Sequence, residues 1–364
     1  MLLVSILGDF HSSVFPIYYE FKDSISTHIV VHDDSFGELL KSKKVLTSLN
    51  KFNQQNNINI KTKDFRIDED SFESILELIE YIESHQYNIE DVYINTTDGL
   101  SNIGTVLGAK LLDRGVKLLS YDIYENNYNI TTKDNILTKK ISSQMSIKEH
   151  FLLKGLQVSA WEDKEFAHKN EALIRELFEE YYNELVIMKK DITQNNYSNK
   201  SKYPRAMQLV NLMNLDCKQD QKAITGGLFE YYIYLLVKDL AFDDIEVGVV
   251  VSQEFSKEHS VKNEFDILLM KDNHLHMIEC KFTKYVDMQL LVYKYSSLIN
   301  LIDDDGKIII LTDDKDYRHD LFGDYDNGKL NHHRRGLINK VIIRGSIFKN
   351  KEKFIDDVKS NFNL

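Results

Sequence analysis

Asn263–Lys281, NEFDILLMKDNHLHMIECK, contains two short apolar runs separated by a polar pair. Phe265 to Met270 and Leu275 to Cys280 read as strands, and Asp272-Asn273 tolerates the left-handed backbone of a two-residue hairpin turn. With those two residues in the loop, Lys271 pairs with His274, Met270 with Leu275 and Leu268 with Met277, so Asp266 falls opposite Glu279. Directly opposed residues point to one face with Cβ atoms about 5 Å apart. Side chains two apart on a strand share a face, so Lys281 projects beside Glu279. Ile267, Leu269, Ile278 and Cys280 face the other way, while Leu268, Met270, Leu275 and Met277 surround the polar group. A hairpin apolar on both faces is expected in the middle of a sheet.

Two opposed carboxylates repel each other unless a cation lies between them, and a divalent metal with Lys281 alongside meets that need. The plainer alternative is a surface charge pair at a strand end, since E-x-K strings also arise by accident. A third acid lies upstream. Residues 226–240, GGLFEYYIYLLVKDL, read as a helix that is apolar nearly all round, with Glu230 on the stripe continued by Ile233, Tyr234 and Val237. An ionised Glu there needs a partner or must reach solvent from the helix edge. Gly226 and Gly227, at the helix start, let the backbone approach the sheet closely.

The first 125 residues alternate short apolar runs with amphipathic stretches. Leu2 to Leu7, His28 to His32, Ile58 to Ile60, Val92 to Asn95 and Val116 to Tyr121 read as strands, and residues 36–50, 70–84 and 101–113 as helices. Such alternation predicts a doubly wound parallel sheet that binds ligands at the carboxyl ends of its strands. Those ends include Asp9, Ser12 and Ser13, and the run Asn95 to Asn102 with Thr96, Thr97, Asp98, Gly99, Ser101 and Asn102. The run joins a strand to a helix through small polar residues, leaving backbone N–H groups of the kind that bind phosphates. The alternative is a plain βα turn capped by Ser101 or Asn102. No G-x-G-x-x-G follows the first strand and no G-K-[ST] follows any strand, which argues against ordinary dinucleotide or NTP binding. Residues 146–223 read as mostly helical, with a stripe of Leu173, Leu177, Tyr181 and Leu185 available to a second subunit and a polar loop ending at Pro204. The expected division is 1–145, a helical connector over 146–223, and 224–364.

The chain has 364 residues, 43% of them apolar, with no uninterrupted apolar run near the ~20 residues of a membrane span. It begins MLLVSILGDF without a basic leader, so a cytoplasmic location is expected. Cys217 and Cys280, the two cysteines, are too few and too far apart for a disulfide framework or a CxxC zinc site. A net charge of −12 is the wrong sign for broad coating of nucleic acid. Contact must therefore be local, through Lys281, Lys284 and Lys294, His332-His333-Arg334-Arg335, or the tail Arg344 to Lys359.

The order helical Glu230, then Asp266, then Glu279-Cys280-Lys281 resembles the PD-(D/E)XK nuclease superfamily. More narrowly, ITGGLFEYYIY (224–234) and NEFDILLMKDNHLHMIECK resemble the nuclease half of the CRISPR ancillary nucleases, in which an N-terminal CARF domain senses a cyclic oligoadenylate. The resemblance covers most of the C-terminal third and, more loosely, the N-terminal half. Two departures stand out. Tyr293-Lys294-Tyr295-Ser296 lacks the Gln that usually follows a Tyr-Lys pair there. Of the CARF pattern N-x-T-G-G-T-K, Asn95, Thr97 and Gly99 match, while Asp98, Leu100 and Ser101 replace Gly, Thr and Lys.

The resemblance implies a Rossmann-like CARF domain, a helical connector and an α/β nuclease domain with a mixed sheet. It further implies a homodimer that is activated by cyclic tetra-adenylate as first candidate and cleaves single-stranded RNA and DNA, with nicking of supercoiled duplex possible. In that reading Asp266 and Glu279 hold Mg²⁺ or Mn²⁺ with the Cys280 carbonyl as an extra ligand, as suits oxygen donors. Glu230 acts directly or through water, and Lys281 positions a water or meets developing charge. The rivals are an inactive ligand sensor that keeps the nuclease fold, and an unregulated repair or restriction-type nuclease.

Overall fold

Leu2 to Ile6 are apolar except for Ser5 and buried without exception, as the first strand of a sheet covered on both faces must be. The structure, a computed structural model, describes the chain except residues 9–13, 69, 85–86, 99–100, 196, 253–261, 284–293, 295–297, 299–302, 304–305, 313–322, 325–328 and 331–339. It divides into two compact units, residues 1–157 with 253–260, and residues 158–252 with 261–364.

In the first unit β1 (Leu2–Ile6), β2 (Thr27–Asp33), β3 (Lys61–Ile67), β4 (Val92–Asn95), β5 (Lys117–Asp122), β6 (Asn127–Thr131) and β7 (Ile136–Lys140) form one sheet in the order β3-β2-β1-β4-β5-β6-β7. The first five strands are parallel and the last two antiparallel. Alternation sorts β1 onto two cores. Leu3 joins residues of α1 (Val14–Phe21), α2 (Phe36–Gln55) and α5 (Ile147–Leu153), whereas Leu2, Val4 and Ile6 join α3 (Phe72–Ser84) and α4 (Ser101–Leu111). The strand order reverses between β1 and β4, where open α/β sheets bind ligands. One expected strand is misplaced: Ile58–Ile60 precede β3, whose KTKDFRI is largely polar because it pairs only with β2 at the sheet edge. His28 and His32, one residue in from either end of β2, are buried; burial pushes the His28 pKa down to about 3, so it is neutral and shares a 2.9 Å hydrogen bond with Ser5 Oγ.

In the second unit β8 (Gln157–Ala160), β9 (Asp244–Ser252), β10 (Lys262–Lys271), β11 (His274–Lys281), β12 (Ile308–Thr312) and β15 (Val341–Arg344) form a mixed sheet in the order β15-β12-β11-β10-β9-β8, and β13 (Gly323–Asp324) pairs with β14 (Lys329–Leu330). The β10–β11 hairpin is central, as its two apolar faces require. Asp272 and Asn273 have φ of 50° and 65°, and the register runs Lys271–His274, Met270–Leu275, Leu268–Met277. On one face Ile267, Leu269, Ile278 and Cys280 pack with α7 (Glu171–Glu179), α8 (Tyr182–Thr193), α9 (Pro204–Leu212), α10 (Leu228–Val237) and the C-terminal helix α11 (Lys351–Phe362), while the short α6 (Lys164–Lys169) adds Ala167. The stripe expected for a second subunit is used here: Leu177 and Leu185 are fully buried in this core, with Leu173 and Tyr181 packed against it. Pro204 begins α9, where its missing N–H costs nothing, and residues 197–202 form a 3₁₀ segment instead of a plain loop. Among the described residues no helix is long and apolar enough to cross a membrane.

Candidate functional site

The β10–β11 ladder ends at Ile267–Ile278, so continuing its register sets Asp266 against Glu279. On the other side, β9 pairs through Phe265–Val249 and Ile267–Val247 and skips Asp266, whose counterpart Gly248 has a φ of +58°. Asp266 thus occupies a gap in both ladders, and its side chain takes up one freed backbone group: the Cys280 N–H donates to Asp266 Oδ2 at 2.7 Å. Glu279 is 1% exposed, and neither of its oxygens receives a directed hydrogen bond. Ion pairs compensate it instead. The Lys281 ammonium lies against Glu279 Oε1 and 4.0 Å from Asp266 Oδ2, and Lys294 Nζ lies 3.6 Å from Glu279 Oε1.

Burial, then the charge of Glu279, pushes the Asp266 carboxyl up to about 7, against the opposing pull of Lys281, the Cys280 N–H and Lys294. Glu230, in the first turn of α10, rises to about 8 through burial and then through Asp266, Glu162 and Glu264. Burial works against the charged form of Lys281, but Glu279 and Asp266 outweigh it and hold the ammonium above the ordinary lysine value. Burial raises the Cys280 thiol well above its usual range, with the three acids adding to the effect. Fully ionised, the three acids would carry more negative charge than the one close lysine and the more distant one can balance. Perturbed carboxylates grouped in this way mark a site for cation or proton chemistry. Among the described residues no three His, Cys, Asp or Glu side chains form a ready cation cage. Two carboxylates are nonetheless what Mg²⁺ needs when waters and substrate phosphates complete its shell.

Three neighbours carried no recognisable sequence pattern. Glu162 follows Trp161, the latter 41% exposed just after β8, and lies over Gly248, where a Cβ would collide with the Glu162 side chain. It also hydrogen-bonds Tyr231 and raises Glu230. Lys222 pairs with Glu264 at 3.0 Å. Thr312 is fully buried at the end of β12, in register with Lys281. Of the expected nucleic-acid contacts, Lys294 is exposed beside Glu279, and Lys284, Arg334 and Arg335 lie outside the described residues.

In the first unit, Asp9, Ser12, Ser13 and Gly99 also lie outside the described residues. The strand-to-helix link after β4 is held by its own side chains. Thr97 donates from N and Oγ1 to Asn95 Oδ1 at 3.1 and 2.5 Å, and its Oγ1 accepts the Tyr121 N–H at 2.8 Å. Thr96 donates from N and Oγ1 to the Leu119 carbonyl at 2.9 and 3.1 Å. Both hydroxyls are committed within the unit. Ser101 opens α4 and Asn102 is exposed on it. Gly8, just past β1, lies so close to Asp98 that a Cβ would overlap its carbonyl oxygen.

Residues 217–335 match the family model for the Card1-like endonuclease domain. No curated protein sequence matches the chain. Among solved structures the fold is shared with protein VC1899 from Vibrio cholerae (14% identity, TM-score 0.75, 99% of this chain and 98% of that one). It is shared with Can2 from Sulfobacillus thermosulfidooxidans, solved in complex with cyclic tetra-adenylate (14% identity, TM-score 0.69, 100% and 99%). A type III CRISPR defence DNA nuclease activated by cyclic oligoadenylate aligns at 11% identity with a TM-score of 0.52, over 86% of this chain and 45% of its own.

Proposed function

We propose, for a chain that belongs to the CRISPR ancillary nucleases through its Card1-like endonuclease domain, that it is a metal-dependent nuclease switched on by a cyclic oligoadenylate. The observation that carries the chemistry is Glu279, buried with two oxygens that lack a directed donor, beside a second buried carboxylate and a lysine. Asp266 and Glu279 would hold Mn²⁺ or Mg²⁺ with the Cys280 carbonyl as a further oxygen donor. Such an ion polarises the scissile phosphate and lowers the pKa of a bound water. Lys281, charged at any working pH, would orient that water or meet the charge that develops on the phosphate. Glu230 retains a proton near neutrality and so can exchange one with a water at the site. Single-stranded RNA and DNA are the substrates we assign, with Lys284, Lys294, Arg334 and Arg335 as backbone contacts.

The same reading assigns the sensor to the carboxyl ends of β1 and β4, a homodimer as the working state and the cytoplasm as its location. Cyclic tetra-adenylate, the ligand in the Can2 complex, is the first activator to try. Labelled single-stranded RNA and DNA incubated with Mn²⁺ and a panel of cyclic oligoadenylates test it. Asp266→Ala and Glu279→Ala should reduce cleavage to background, and Lys281→Ala should do so with Mn²⁺ binding largely kept. Near-normal turnover in either carboxylate variant at saturating Mn²⁺ would sink the site assignment, whereas cleavage indifferent to every ring would favour the unregulated nuclease.

A further inference from the structure

Thr312 Oγ1 is a fully buried hydroxyl with no hydrogen-bond partner. Valine has the same shape without that cost, so an orphaned hydroxyl at this depth calls for an explanation. Its position supplies one. The parallel register sets Thr312 beside Lys281 and Ile310 beside Glu279. Ile309 and Leu311 pack into the helix-covered core with Ile278 and Cys280, so alternation turns Thr312 to the face that carries Asp266, Glu279 and Lys281. On that face Thr312 Oγ1 has no hydrogen-bond partner, whereas Glu279 is compensated by the Lys281 and Lys294 ammonium groups.

Lys281 now rests against Glu279. A divalent cation on Glu279 and Asp266 would repel that ammonium, which must then find another acceptor without leaving the site. On the adjacent strand, Thr312 Oγ1 has both lone pairs free for it. We propose that Thr312 is a positioning residue that receives the Lys281 ammonium when a divalent cation takes its place on Glu279. The inference rests on the metal-site reading above and adds the residue that keeps Lys281 pointed at the reaction. Lys294, 3.6 Å from Glu279, is exposed.

The test is Thr312→Val and Thr312→Ser in the full-length protein, each followed by thermal melting in EDTA, Mn²⁺ calorimetry and cleavage kinetics. In EDTA the valine variant should melt at or above the wild-type temperature, because it removes an unpaired buried hydroxyl. With Mn²⁺ its affinity and its kcat should each fall about 10-fold, the lower end of what losing one hydrogen bond to a charged group costs, with KM unchanged. Serine should restore both. Mn²⁺ binding and kcat equal to wild type in Thr312→Val would overturn the inference and leave the nuclease reading intact. A large loss of stability in EDTA would also overturn it, by showing that the hydroxyl serves the fold. No Mn²⁺ heat from the unsubstituted protein would overturn the metal site itself and the inference with it.

Discussion

Asp266 and Glu230 hold their protons to about pH 7 and 8, whereas in the unfolded chain both ionise near pH 4. Folding therefore favours their protonated forms. The stability this gives is fully present below about pH 4 and is lost as pH rises through 7 to 8. The metal-free protein should melt several degrees lower at about pH 8 than at about pH 5, and Mn²⁺ should raise the melting temperature more at the higher pH. Asp266→Asn, which removes one buried charge, should flatten that slope and be more stable than wild type at pH 8 in EDTA, yet inactive. Thermal melts across pH, with and without Mn²⁺, check this; an unchanged slope in the Asn variant would place the strain elsewhere.

The hairpin turn was legible because Asp272-Asn273 tolerates positive φ at two successive positions, and the two runs beside it fix the register from there. Asp266 opposite Glu279 follows by counting. Other elements left weaker traces. The edge strand β3 is mostly polar, α1 carries Pro16 in its first turn, and β7, with all five residues exposed, has no buried face to announce it. Glu162 and Thr312 are single polar residues whose meaning depends on strands brought near them only by the fold. Gly248 is the clearest case of such long-range dependence. Its φ of +58° opens the ladder at Asp266, and its missing Cβ leaves room for the Glu162 side chain. Gly248→Ala should cost roughly 1–3 kcal/mol in denaturant unfolding, with an unchanged m-value, and should slow cleavage as Glu162 is pushed aside. A variant as stable as wild type would mean that the strand relaxes without cost.

At the scale of the whole chain, the proposed sensor and the proposed metal site belong to different units, so each can be damaged separately. Gly8 gives the cleanest separation. Ala at that position must displace the Asp98 carbonyl and with it the β4–α4 link, while leaving Asp266, Glu279 and Lys281 untouched. Gly8→Ala should reduce activator-stimulated cleavage about 10-fold or more with the heat of Mn²⁺ binding unchanged, since a coupling of 1–3 kcal/mol between sites is worth 5- to 150-fold. Full stimulation in that variant would move the sensor site away from the ends of β1 and β4. With a net charge of −12 the molecule as a whole repels phosphate backbones, so cleavage should weaken with salt only in proportion to a few local lysines and arginines.

Trp161, next to Glu162 and partly exposed, is the single tryptophan of the chain. The protein therefore carries an intrinsic optical reporter at one known place, within the second unit and one residue from the acid that lies over Gly248. With excitation selective for indole, emission comes from that point alone and no label or introduced cysteine is required. A spectral change on adding Mn²⁺ reads the metal site from nearby, and a change on adding a cyclic oligoadenylate reads a signal that has travelled from the first unit into the second. The two titrations give the order of events, ligand before metal or metal before ligand, from the fluorescence of the unmodified protein.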